Sequence, residues 1–242
     1  MTGFVQAVPG VDHAPGTAFA HGQGARLGWL VAIPRAEVLS YLRNQADARS
    51  GIVEISPLTP APIVCNDVKA QAAEARGKGK IVIADVTAYG PEGCPAIRLG
   101  AHVSVMDIAE DLCVVAVSKD VSRVLSDVNA WFAEHATTDE VLLSCAAEAL
   151  NREATSWHLS SDAAQVVASY LRCHPKVEEL RYPGLRRDPS FAVAARTLQQ
   201  GFGPRVDYRL VGSGEWRSVI CGPSNPHDQV LALESGLLSL AF

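Results

Sequence analysis

Between residues 27 and 117 short apolar runs alternate with longer amphipathic ones, and this alternation limits the chain to few architectures. "LGWLVAI" reads as a strand and "RAEVLSYLRNQADA" (35–48) as an amphipathic helix. "GIVEIS" (51–56) is a second strand, closed by the proline loop "PLTPAP". "DVKAQAAEARGKG" (67–79) is a helix that ends on glycine, as helix C-termini commonly do. "KIVIADV" (80–86) is apolar almost throughout, as a strand covered on both faces must be. "HVSVM" (102–106) and "LCVVAV" (112–117) are further strands. Parallel neighbours need a crossover instead of a tight turn, so strand–helix–strand alternation predicts an α/β fold with a mostly parallel sheet and flanking helices.

Near residue 120 the pattern changes. "VSRVLSDVNAWFAEH" and an Ala-rich stretch from Asp139 to about Leu171 are helical. Ser160, Ser161 and Asp162 interrupt that stretch with residues suited to capping a fresh helix. The strand "VEELRY", the helix "SFAVAARTLQQ" (190–200), the strand "RVDYRLV" (205–211) and a last helix "HDQVLALESGLLSLAF" follow. The predicted organisation is an N-terminal arm (1–25), an α/β unit (26–135) and a small α+β unit (136–242). "HGQGARLG" (21–28) lacks the glycine spacing of a phosphate loop and leads into a strand, not a helix.

Composition removes several classes of function. The net charge of −5 and the two short basic clusters, "RGKGK" and "LRR", argue against nucleic acid as a partner. No stretch reaches the roughly 18 apolar residues of a membrane span. The first residues lack the basic and apolar regions of a signal peptide, which makes the cytoplasm the expected compartment. Six cysteines lie far apart, with no C-x-x-C pair or Cys/His cluster, so no metal site is expected.

"HPKVEELRYPGLRRDPSFAVAARTLQQGFGPRVDYRLVG" (174–212) carries the most specific pattern. His174, Pro175, Val177, Tyr182, Pro183, Gly184, Leu185, Gly201, Phe202 and Gly203 stand where one family has H-P-x-V, Y-P-G-L and G-F-G-G. In the first half, "ISPLTP" (55–60), "IADVTA" (83–88), "LGAH" (99–102) and "VMDIAED" (105–111) follow the same family in order. The chain resembles, over about residues 26–240, the trans-sulfuration enzymes of Cys/Met metabolism, typified by cystathionine γ-synthase and cystathionine γ-lyase. That resemblance implies the large domain of an aminotransferase-like fold plus a small C-terminal domain, and pyridoxal phosphate (PLP) as cofactor.

PLP chemistry needs a lysine for the imine, an acid on the ring nitrogen and a cup for the phosphate. On the family pattern Asp85 takes the position of the ring-nitrogen acid and Thr87 that of the threonine two residues on. Glu110 stands at the lysine position, Asp107 at the phosphate-binding serine, Ala109 at the following threonine, and Thr59 at the asparagine near the cofactor. A carboxylate forms no imine, and Asp107 with Glu110 would repel a phosphate. The acidic group Asp107, Glu110 and Asp111 is expected to be solvated or paired with Arg98. The family's upstream phosphate loop and its downstream carboxylate-binding arginine have no counterpart in this sequence. The resemblance then implies a truncated, catalytically degenerate member that binds no cofactor. Such a chain would pair with itself or with a full-length relative, or hold another ligand. The alternative lays "DLCVVAVSK" (111–119) over the family's lysine segment with an insertion after Asp85. Lys119 would then carry pyridoxal phosphate in a C–S lyase or γ-replacement enzyme.

Overall fold

A computed structural model describes residues 23–24, 27–46, 51–59, 61–123 and 125–238. Nearly all of the predicted N-terminal arm, and residues 239–242 of the last helix, lie outside the described residues. The first part of the chain contains β1 (Leu27–Val31), α1 (Arg35–Gln45), β2 (Ile52–Ile55), α2 (Val68–Gly77) and β3 (Ile81–Asp85). The single turn α3 (Gly90–Gly93), β4 (Val103–Ala109) and β5 (Leu112–Val117) come next. The sheet order is β1-β5-β4-β3-β2. β2, β3 and β4 are parallel neighbours, and β5 is antiparallel to both β4 and β1. Four strands therefore run one way and only β5 is reversed, so the fold is mixed α/β with a mostly parallel sheet.

Both faces of this sheet are covered, which is why its strands read as continuous apolar runs. On one face Val82, Ala84, Val114 and Ala116 pack with Val68, Ala72 and Ala75 of α2. On the other, Ile81, Ile83, Val103 and Val115 meet Val38 and Leu42 of α1 and Phe132 of α4 (Val128–His135). Tyr41 of α1 stacks on Trp131 of α4 at 3.9 Å between ring centres.

The helix α5 (Glu140–Cys173) runs unbroken for 34 residues, about 50 Å at the usual rise. Asp139 caps its start, accepting the backbone N–H groups of Val141 and Leu142. The predicted interruption at Ser160–Asp162 is absent. Ser160 and Ser161 are buried, and the Ser161 hydroxyl accepts the N–H of Gly203 at 3.0 Å, so it serves a neighbouring loop instead of capping a new helix. The first half of α5 packs under the large sheet through Ala146, Leu150 and Trp157. Its second half presents Ala163, Ala164, Val167, Ala168 and Leu171, spaced for one helical face, to the second core.

That core sits under a three-stranded antiparallel sheet, β6 (Val177–Arg181), β7 (Arg205–Leu210) and β8 (Trp216–Ile220). The short helix α6 (Phe191–Thr197) and the last helix α7 (Pro226–Leu238) complete the chain. The edge strand β8 escapes sequence reading because it is short and its residues are exposed or half-buried, leaving little alternation to detect.

One buried group makes the larger sheet sensitive to acid. His102, only 3% exposed, accepts the Val82 N–H on Nδ1 at 2.9 Å. Burial, helped by the nearby Arg76 charge, pushes its pKa from 6.5 down to about 4. Between these values the unfolded chain takes up a proton that the folded one refuses, so stability falls as pH drops through that window. Above it the contribution is complete. A loss of about 2–3 kcal/mol is expected on going from about pH 7 to about pH 4, beyond that of a His102→Gln variant. Urea titrations at the two pH values measure it. Equal acid sensitivity of wild type and variant would discard this assignment.

Candidate active site

The parallel register of β3 and β4 sets Asp85 beside Val105 at the C-terminal end of the sheet, the end where open α/β sheets bind ligands. Asp85 Oδ1 accepts the N–H of Thr87 at 3.0 Å, and Thr87 Oγ1 accepts the N–H of Asp107 at 3.1 Å. Asp85, Thr87 and Asp107 are thus brought together.

Arg35, at the start of α1, closes the group. Its Nη1 is ion-paired with Asp85, and its Nε lies 3.2 Å from Asp107 Oδ2. Cys113 donates its thiol hydrogen to Asp107 Oδ1 at 3.2 Å. Burial, then the hydrogen bond to and charge of Asp107, push the Cys113 thiol up to about 12, so it stays protonated and is no nucleophile.

Sequence reasoning missed Arg35. A cation in the first turn opposes the helix dipole, and that local misfit is the signal that could have found it. Asp107 is paired with Arg35 and not with Arg98, which donates instead to Gln199 at 3.2 Å. The separation in sequence between Arg35 and Asp107 hid that partner.

The other predicted positions are not in this group. Ala109 is the exposed last residue of β4, and Glu110 and Asp111 form the exposed hairpin turn to β5. Lys119 follows the far end of β5. Asp85 is level with Val105 of β4 and so with Val115 of β5, which sets Lys119, four residues on, about 13 Å along the strand towards the opposite end of the sheet. Thr59 lines a different space, with its hydroxyl bonded to the backbone of Val64.

Two cavities flank the strand ends. One, of about 20 Å³, lies against Arg35, Leu39, Ile83, Asp85 and Val105. The other, of about 400 Å³, is a cleft walled by Leu58, Ile63 and Tyr89 near the larger sheet and by Pro204, Arg205 and Ile220 of the smaller sheet's end.

No family model matches the chain. No curated protein matches its sequence. Solved structures do match its fold. One is apo CalE6, a methionine γ-lyase from Micromonospora echinospora. It superposes with a TM-score of 0.72 at 17% identity, over 91% of this chain and 83% of that one. Another structure of CalE6, described as a cystathionine γ-lyase, gives 0.69 at 16% identity, over 92% and 85%. The fold is that of the γ-lyases.

This corrects one expectation. The sequence reading expects no cofactor, yet the γ-lyase fold is the one for which the family resemblance implies pyridoxal phosphate. Lost site residues were an insufficient ground for expecting none, because the cofactor-binding fold persists at an identity too low to track individual side chains. The fold points to pyridoxal phosphate. The side chains beside Asp85 are not arranged to receive it as they stand. The Asp85 carboxylate is engaged by Arg35 and by the Thr87 N–H, so a ring nitrogen there would compete with Arg35. No catalytic step can be routed through the group from these contacts.

Proposed function

We propose that the chain is a degenerate relative of the γ-lyases, with 26–135 and 136–242 as its two units. Its role on this reading is to bind a ligand or a partner chain, not to eliminate sulfur from amino acids. The observation that supports it is the position of Lys119, which follows the end of β5 and lies at the opposite end of the sheet from Asp85, while Glu110, set by the family pattern at the lysine position, is in the exposed β4–β5 turn. An amine at the opposite end of the sheet is not placed to meet a ring held at Asp85. The partner is a second copy of this chain or a full-length relative, consistent with exposed apolar side chains such as Val141, Val211 and Leu238. Among the described residues no helix is long and apolar enough to cross a membrane.

The test supplies pyridoxal phosphate in excess, because the fold points to it. Purified protein is incubated with the cofactor and with methionine or cystathionine, and keto-acid release is followed. A second portion is reduced with borohydride and mapped by peptide mass. The expected result is no keto acid above a protein-free control and no reduced adduct on Lys119. Turnover together with an adduct on Lys119 would establish the alternative, a PLP-dependent C–S lyase or γ-replacement enzyme. Light scattering tests the partner arm, and a strict monomer that captures no relative would remove it.

A further inference from the structure

The 400 Å³ cleft is within the size range of small-molecule sites. Its walls are mostly apolar: Leu58 and Ile63 from the loop after β2, Ala88 and Tyr89 after β3, and Ile220 at the end of β8. The polar groups on the Leu58 side are already engaged. The Tyr89 hydroxyl is bonded to Ser56 at 3.1 Å and to the Leu58 carbonyl at 3.2 Å. The Thr59 hydroxyl donates to the Val64 carbonyl and accepts the Val64 N–H.

Among the described residues that line the cleft, Arg205 is the one ionised. Its Nε donates to Asp207 Oδ1 at 2.7 Å, and its Nη2 donates to the Ser218 hydroxyl at 2.8 Å. A guanidinium carries five N–H donors in a fixed fork, so these two bonds orient the group and leave Nη1 uncommitted. Asp207 does not depend on Arg205 alone, because it also accepts the Ile63 N–H at 2.6 Å and the Ser218 hydroxyl at 2.7 Å. The outcome is an oriented guanidinium at the edge of an apolar cleft, its charge shared with Asp207 behind it and with no acid among the described lining residues.

We infer that this cleft binds a small apolar monocarboxylate, its chain against Leu58, Ile63 and Ile220 and its carboxylate on Arg205. The apolar walls supply affinity through buried area, and the guanidinium selects the charge of the head group. This site is separate from Asp85 and names a ligand class for the binding role proposed above.

Octanoate is the probe, with octanol and octylamine as controls that share its chain and change only its head. A ligand specific to the folded state raises the unfolding temperature, so thermal shift gives the first reading and calorimetry the affinity. Octanoate is expected to stabilise the protein more than either control. Arg205→Gln is expected to weaken octanoate binding about tenfold or more, in line with loss of one charged hydrogen bond. Ala88→Glu changes an exposed lining residue and gives a second reading should the first variant fail to fold. It is expected to abolish octanoate binding and to spare octylamine. No stabilisation by octanoate, equal stabilisation by octanol, or undiminished binding in either variant would overturn the inference. None of these outcomes depends on the borohydride result at Lys119, so the two readings fail separately.

Discussion

Replacing Asp207 with alanine is expected to destabilise the protein by about 3–5 kcal/mol, the usual cost of stripping one partner from a buried charge pair. Asp207 has no exposed surface and ties the loop after β2 to the three-stranded sheet. It accepts the Ile63 N–H from the loop after β2, the Arg205 Nε from its own strand, and the Ser218 hydroxyl from β8. Alanine would leave the buried Ile63 N–H unsatisfied and the guanidinium without its counter-charge, while the exposed Ser218 hydroxyl can turn to water. Asp207→Asn keeps the shape and part of the bonding, so it is expected to lose less. Urea unfolding of the three proteins measures the order. If alanine cost under about 1 kcal/mol, the contact between Ile63 and Asp207 would not be holding the loop to the sheet.

Trp157→Ala is the second large expectation, also about 3–5 kcal/mol, from lost transfer energy and the cavity left behind. Trp157 is 2% exposed in the middle of α5. It meets Tyr89 edge-on at 6.0 Å, and its Nε1 donates to the Gln199 carbonyl at 2.9 Å. The surrounding backbone is shaped to it. A Cβ on Gly93 would come within 2.8 Å of the indole, and Gly203 carries the ring's far edge at a φ of +95°. Collapse into the vacated space is therefore restricted, which favours the upper part of the range. Trp157→Phe retains most of the area but loses the donor, and is expected to cost less than alanine. The fall in urea midpoint at unchanged slope reads both. A midpoint within error of wild type for the alanine variant would show that the ring is not a keystone.

Much of the fold is legible in the chain itself. The strands of the larger sheet are β-branched apolar runs bounded by Gly and Pro, and their positions follow from local periodicity and turn chemistry. The same holds for α2, which Asp67 caps by accepting the Ala70 N–H. β8 and the continuity of α5 are not legible. The first lies at a sheet edge, where half-exposed positions blur alternation. The second depends on Ser161 finding Gly203, a partner 42 residues away.

The candidate site divides the same way. Asp85, Thr87 and Asp107 belong to β3, β4 and the turn that follows β3, so the strand assignments and one parallel register determine that they meet. What they do to one another was decided elsewhere. Arg35 is 50 residues from Asp85, and nothing along the chain records that its guanidinium ties Asp85 to Asp107. Lys119 lies 34 positions after Asp85 in the sequence, yet the tight β4–β5 turn sends β5 back along β4 and carries the lysine away from the acid. Periodicity reports how each residue meets the solvent and core. It carries no information on which charges meet across the fold, because those distances exist only once the chain has packed.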